Sequence, residues 1–107
     1  MLPKRNRLRS GQKIREIIKR KEQTHSSPLL YLVAQEDKAA QHSKYCIITK
    51  KSMGCAVKRN RTRRRISAVI QKIGINIGKT MNFVLMPKGE LTSGQILQEI
   101  AKIEQTN

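Results

Sequence analysis

Apolar residues recur at helical spacing in three stretches of the chain. Within each stretch they fall at i, i+3, i+4 and related positions, which places them on one face of a helix. The three apolar stripes are Ile14, Ile17 and Ile18; Ile66, Val69, Ile70 and Ile73; and Ile96, Ile100 and Ile103. Ser10 is positioned to cap the first helix, and Gly74 to end the second, which we expect over 56–73. Thr92 and Gln95 form a capping-box pattern that begins the third.

Three compact apolar runs, over 29–34, 45–49 and 81–86, predict buried strands. The polar connection over 35–44 suggests that the first two strands form a hairpin with a long loop. The segment 22–28 is polar and predicts a loop with room for a brief strand. The order helix, strands, helix, strand, helix indicates a single α+β domain over the whole chain, with a small mixed sheet packed with helices.

The charge of the chain points to a polyanionic partner. Twenty-three Lys and Arg face seven Asp and Glu, for a formal net charge of +16, and the two signs are segregated. Residues 1–21 carry nine basic groups and one acid, and residues 1–9 read as an extended basic arm. Residues 50–65 carry eight basic groups, and no acid occurs over 38–89. Because like charges on a small domain repel unless a polyanion neutralises them, we predict a nucleic-acid-binding protein with a folded RNA as its partner.

The sequence does not predict a membrane span, a signal peptide or a metal site, which are other features that a basic chain could have. No apolar run approaches the ~18 residues of a membrane span, and no apolar stretch follows the basic N-terminus as in a signal peptide. We therefore expect a cytoplasmic protein with no membrane partner. Cys46 and Cys55 have neither metal-type nor redox-type spacing, and we expect two reduced thiols and no metal site in the chain.

The basic start of the second helix, over 58–65, is the most informative feature of the sequence. At about 100° per residue from Ile66, Arg59 and Arg63 follow the apolar stripe and point towards the end of the sheet. Three further residues point outward, and they are Asn60, Arg61 and Arg64. Arginine binds phosphate oxygens through two donors, and an asparagine amide can contact a sugar or a base edge. This geometry predicts a rigid RNA-contacting surface. The aromatic residues are few, and we expect mainly core packing for Tyr31, Tyr45 and Phe83.

The segment 50–64, KKSMGCAVKRNRTRR, resembles the signature of the bacterial ribonuclease P protein subunit. That family carries a Lys-Lys pair, then a small residue and Ala, then Arg-Asn-Arg on a helix. The opening LPKRNRLR is similar to the family's usual start, and the element order matches over essentially the whole chain. The resemblance implies a three-layer α+β fold with a left-handed βαβ crossover, where general rules would favour a right-handed one.

The resemblance also implies a function. The chain would be the protein subunit of an endoribonuclease whose catalytic RNA binds Mg²⁺ and removes the 5′ leader from precursor tRNA. The protein itself would carry no catalytic residue, no organic cofactor and no obligate protein partner. By motif position, the RNA-contacting residues are Lys50, Lys51, Lys58, Arg59, Asn60, Arg61, Arg63 and Arg64. A cleft for the leader, between the first helix and the sheet, would be lined by Ile14, Ile18 and Tyr31.

Two departures from the family pattern bear on the leader cleft. Phe is usual in the family where this chain has Ile14 and Ile18, and Arg is usual where the late strand runs into Met86 and Pro87. A structural ribosomal or chaperone-like RNA-binding protein without a processing role is the alternative, since it shares the charge and the fold. A nuclease made of protein alone would need clustered carboxylates, and the seven acids are scattered.

Overall fold

Three α-helices and four strands make up the protein in a computed structural model that describes residues 2–105. Two short 3₁₀ turns precede α1 and α2. In chain order the elements are a 3₁₀ turn at Lys4–Asn6, α1 (Gly11–Lys19), β1 (Gln23–Ser26), β2 (Leu30–Glu36), β3 (Lys44–Ile47), a 3₁₀ turn at Lys51–Met53, α2 (Ala56–Ile73), β4 (Met81–Pro87) and α3 (Ser93–Gln105). The predicted α+β class, element order and mixed sheet are confirmed.

The strands lie in the order β1-β2-β4-β3, so the predicted hairpin between β2 and β3 is wrong. β4 lies between these two strands, antiparallel to β2 and parallel to β3. Val84 of β4 is opposite Val33 on one side and Cys46 on the other. The physical reason is burial: the first five residues of β4 are all buried, and a strand of this kind requires partners on both edges. The hairpin that does form joins β1 to β2. The left hand of the β3–α2–β4 crossover stays a prediction.

Helices cover both faces of the sheet, which gives three layers. Successive strand residues point to opposite faces, so Leu32 and Phe83 pack under α2 and α3, whereas Val33 and Val84 pack under α1. Ile17 of α1 is fully buried against this second face. The α1 layer is thin because a helix of nine residues contributes only one buried side chain.

The helix ends lie where the sequence places them. The Ser10 hydroxyl accepts the backbone N–H of Lys13 at 3.2 Å, as expected for an N-cap. Thr92 and Gln95 exchange hydrogen bonds between side chain and backbone at 2.9 and 3.2 Å, which confirms the capping box. Gly74 ends α2 with a φ of 65°, a conformation that favours glycine, and its N–H donates to the carbonyl of Ile70 at 2.7 Å.

The N-terminal segment differs from the predicted extended arm wherever it is described. Residues 2–9 contain a 3₁₀ turn, and Leu2 and Leu8 are both buried, in the clusters on opposite faces of the sheet. The N–H of Leu8 donates to the carbonyl of Tyr45 at 3.0 Å, so the segment crosses the free edge of β3. Burying two leucines stabilises the segment by about 1.5–3 kcal/mol each, which explains why it packs despite its charge. It also protects an edge strand.

Glu99 is a buried acid that ties the β1–β2 hairpin to α3. Its side chain is 1% exposed, and it accepts hydrogen bonds from Ser27 Oγ, from His25 Nε2 at 3.1 Å and from Lys102 Nζ at 3.4 Å. Burial alone would raise the pKa of Glu99, but these three hydrogen bonds outweigh it and hold the pKa below its usual value. The carboxylate is therefore the form that stabilises the fold.

We expect Glu99→Gln to lower the free energy of unfolding near pH 7 by about 1–3 kcal/mol. The amide nitrogen that replaces one carboxylate oxygen cannot accept from Lys102, and the hydrogen bonds of Ser27 and His25 lose the negative charge of their acceptor. The pKa of Glu99 is lower in the folded protein than the ~4.3 of an unfolded chain, so this stabilisation is present above that pH and is lost as the pH falls through the folded pKa. Urea denaturation near pH 7 and near pH 3 measures both effects, and the difference between wild type and variant should shrink at the lower pH. Glu16→Gln, at a half-exposed position of α1, is the control, and an equal loss there would contradict the prediction.

Candidate nucleic-acid interface

The basic segment before α2 and the first turns of that helix form one ordered surface, which we call the α2 front (residues 50–65). Its rigidity comes from the rear of the helix, where Ile66, Val69 and Ile70 are buried in the core between helix and sheet. Gly54 turns the chain into the helix with a φ of 116°, and a Cβ there would lie 3.3 Å from the Cδ of Lys58. The predicted clamp of an aliphatic rear under a basic front is confirmed.

Arg63 links the α2 front to the end of the sheet, in the direction the sequence predicts. Its Nη2 donates to Thr49 Oγ1 at 2.7 Å, just beyond β3, and its Nη1 donates to Asn60 Oδ1 at 3.2 Å. The carbonyl oxygen of Asn60 is therefore occupied, and its amide nitrogen is the group left for a partner. Arg59 is half-buried, and within residues 2–105 its buried Nε has no hydrogen-bond partner.

Lys50, Lys51, Lys58 and Arg64 are exposed members of the predicted contact set. Within residues 2–105 none of the four forms an ion pair. Their ammonium and guanidinium groups are therefore available to an external anion. An anion at this surface would meet several cations whose charge no acid of the described chain neutralises.

Arg61 is exposed as predicted, but it has an acidic partner that the sequence analysis missed. Glu90, in the β4–α3 loop, lies 3.1 Å from Arg61 Nη1 and 4.0 Å from Arg65 Nη1. The same Arg65 Nη1 donates to the carbonyl of Leu91 at 3.0 Å. The available signal was weak: Glu90 is the first acid after a long acid-free stretch, and the buried Leu91 follows it directly.

Thr62 holds the β4–α3 loop against the α2 front. It is fully buried between its charged neighbours, and its Oγ1 accepts the backbone N–H of Leu91 at 3.4 Å. Thr62 and Arg65 thus bind the N–H and the carbonyl of the same residue. The position of Glu90 follows from this anchoring of the residue beside it.

The two thiols lie near the positive charge of the α2 front. Burial raises the pKa of Cys46, and the nearby Arg63 opposes that shift. The backbone amide of Lys58, with smaller effects from its neighbourhood, holds the pKa of the exposed Cys55 below its usual value. Cys55 is the N-cap residue of α2, where free backbone N–H groups favour a negative charge.

The predicted leader cleft has its residues on one face. Ile14, Ile18 and Tyr31 are partly buried and share the apolar cluster under α1 with Met86. Tyr31 and Met86 also line an open pocket of about 390 Å³, whose other walls are Lys50, Ser52, Pro87 and Lys88. Lys50, the first residue of the α2 front, therefore lies beside Tyr31 of the predicted cleft. Sequence reasoning missed Lys88, whose position follows from where β4 ends.

The other two aromatic residues belong to the core, as expected. Tyr45 and Phe83 stack with ring centroids 5.2 Å apart, and both are buried. Burial raises the pKa of Tyr45, whose hydroxyl accepts the N–H of Ile75 at 3.2 Å. Tyr31 is thus the aromatic side chain that borders the cleft.

The described part of the chain brings together no group of three His, Cys, Asp or Glu side chains that could hold a metal ion. No helix among these residues has the length and apolar character needed to cross a membrane.

A family model described as ribonuclease P matches residues 2–106. The chain belongs to this family. No curated protein matches it, but solved structures do. The ribonuclease P protein of Staphylococcus aureus superposes with a TM-score of 0.77 at 20% identity, covering 92% of this chain and 94% of that one. The ribonuclease P protein of Thermotoga maritima, in complex with 1-(4-fluorophenyl)-2-thiourea, gives a TM-score of 0.80 at 16% identity, covering 94% and 99%.

These likenesses confirm the fold, and the family match confirms the resemblance carried by residues 50–64. The family is that of the ribonuclease P protein subunit, and it is one that associates with ribonuclease P RNA.

We expect Thr62→Val to lower the free energy of unfolding by about 1–2 kcal/mol, because the buried N–H of Leu91 loses its acceptor while the side-chain volume is kept. Thermal denaturation followed by circular dichroism measures the loss. Thr80→Val is the matched control, because the Thr80 hydroxyl makes no hydrogen bond within residues 2–105. Equal stability of Thr62→Val and wild type would show that the loop is not held by this contact.

Proposed function

We propose that this subunit binds the catalytic RNA through the α2 front and the 5′ leader of precursor tRNA through the cleft under α1. The RNA carries out the hydrolysis, and the protein contributes binding. The observation that carries the proposal is the α2 front itself, a set of cations on and beside a helix whose buried rear holds its backbone in place. A surface of this kind binds phosphates without a large ordering cost.

The chemistry of the α2 front suits an RNA backbone. Arg63 is pre-oriented by Thr49 and Asn60, and exposed cations surround it. Arginine can hold a phosphate with two parallel hydrogen bonds, which lysine cannot do. If six to eight cations contact phosphates, log K falls against log salt with a slope of roughly −4 to −6.

The cleft suits a single strand more than a duplex. Its floor is apolar, and Tyr31 is the side chain there that can stack on a base. Lys50 and Lys88 at its end can bind the backbone of a strand that lies in the cleft. With isoleucines on α1, the remaining contacts are apolar packing, so we expect leader binding by shape and charge.

Mg²⁺ in this proposal is held by the RNA. The protein places positive charge where the catalytic RNA and the leader come together, and so reduces their repulsion. The catalytic RNA alone should therefore process precursor tRNA only at high Mg²⁺, and adding the protein should lower the Mg²⁺ requirement. Reconstitution with the host's catalytic RNA measures this directly. An unchanged Mg²⁺ requirement, with ribosomal RNA co-purifying from cells instead, would favour a ribosomal or chaperone-like role.

We expect Arg64→Ala to weaken binding of the catalytic RNA about three- to ten-fold and to reduce the salt slope by about one, because one phosphate contact is lost. Filter binding over a salt series measures both. Lys79→Ala is the control: it removes the same charge at the opposite end of the sheet, beside Glu36. Equal losses in the two variants would mean that net charge, and not the α2 front, governs binding.

We expect Ile18→Phe to raise the affinity of the holoenzyme for precursor tRNA about five-fold or more, because it adds a ring on which a leader base can stack. Mature tRNA, which has no leader, should bind as before. Ile18→Leu controls for the change of shape without a ring. A gain that is the same for mature tRNA would place the leader elsewhere.

A further inference from the structure

Glu90 is an acid set inside a basic surface. It is the acid nearest to the α2 front among the ion pairs of residues 2–105, and it contacts two of the front's arginines, at 3.1 and 4.0 Å. The next residue, Leu91, is 1% exposed and bound through both backbone groups to α2, so the loop cannot easily carry Glu90 away. The Glu90 side chain is about one-third exposed, which leaves it in reach of a ligand.

Glu90 has a clear effect in the free protein. Arg61 and Arg65 are four residues apart on one helix, a spacing at which like charges repel. A carboxylate between them offsets that repulsion. An exposed ion pair of this kind contributes little, about 0.2–1 kcal/mol, and so is easily exchanged for another anion.

A phosphate that binds Arg61 must take the place of Glu90 or lie beside it. In both cases the carboxylate opposes the phosphate, through competition for the guanidinium or through like-charge repulsion at short distance. A repulsive group fixed inside an attractive surface admits only ligands whose charges avoid it.

We propose that Glu90 is a specificity-determining residue of the α2 front, which selects folded RNA over other polyanions. This inference rests on the proposed function. A folded catalytic RNA presents phosphates at fixed positions, so it can contact the arginines while keeping clear of Glu90. A flexible polyanion has no fixed arrangement, so keeping its phosphates on the cations and away from Glu90 costs it conformational freedom.

The test compares Glu90→Gln with wild type in the full chain, against the catalytic RNA and against poly(U) of similar length at one salt concentration. We expect poly(U) to bind the variant about three- to five-fold more tightly than wild type, which corresponds to the upper end of the free energy of an exposed ion pair. The catalytic RNA should bind the variant less than about two-fold more tightly. The ratio of the two affinities, catalytic RNA over poly(U), should therefore fall by about 1.5-fold or more. In an Arg61→Ala background, Glu90→Gln should change the ratio less, because the competed guanidinium is gone.

Stability provides a second readout with the opposite sign. Losing the carboxylate between two arginines should lower the melting temperature by about 1–4 °C while poly(U) affinity rises. Glu36→Gln is the matched control: it makes the same charge change beside Lys79, at the other end of the sheet, and should leave the ratio unchanged.

Two results would overturn the role of Glu90. An equal rise for both RNAs in Glu90→Gln would make the residue a general charge, and a fall for both would make it a group that orients Arg61. Failure of the proposed function looks different, since wild type would then show no preference for the catalytic RNA over poly(U). A preference that is present but unmoved by Glu90→Gln contradicts only this inference.

Discussion

The packing of the α2 rear onto the sheet is the interaction on which the rest of the molecule depends. Ile66 and Ile70 lie in the same cluster as Phe83 and Leu85 of the central strand, so the helix cannot move without opening the core. A helix carrying this many like charges would be marginal on its own, because most helical stability in proteins comes from packing an apolar face. The buried rear therefore makes it possible to display a dense row of cations at the front.

The chain has few acidic residues, and each of Glu99, Glu36 and Glu90 interacts with its immediate neighbours. Glu99 is buried and joins the β1–β2 hairpin to α3, whereas Glu36 pairs with Lys79 far from the α2 front. Glu90 is the acid that contacts the front, through Arg61 and Arg65. Most positive charge is thus left without an internal counterpart, and self-repulsion of this size is relieved when a polyanion binds. Stability of the free domain and the proposed affinity for RNA are therefore opposed at this surface.

The sequence predicts what local forces determine and misses what depends on distant contacts. The three helices and their caps follow from side-chain spacing and from Ser10, Gly74 and Thr92, each of which acts within its own turn. Strand order could not be obtained in this way, because a hairpin between β2 and β3 satisfies the same local pattern as insertion of β4.

The same distinction between local and distant contacts applies to the candidate site. The orientation of Arg63 towards the sheet was predictable from helical geometry, because the apolar stripe of the helix fixes the direction of every other side chain on it. Glu90 was not, since its approach to Arg61 depends on how the β4–α3 loop is anchored through Leu91. Leu2 and Leu8 lie in a segment whose charge predicts a basic arm, and their burial depends on contacts with distant strands that the local pattern does not show.

The two proposed RNA contacts are joined by a short stretch of backbone after β3. Thr49 binds Arg63 of the α2 front, and the next residue, Lys50, lines the pocket at the end of the cleft with Tyr31. A strand bound in the cleft would therefore end beside the surface proposed to hold the catalytic RNA. Because the two proposed contacts involve adjacent residues of the chain, an RNA bound at one would limit the positions open to an RNA at the other. Such pre-organisation favours assembly without any new contact between protein and RNA.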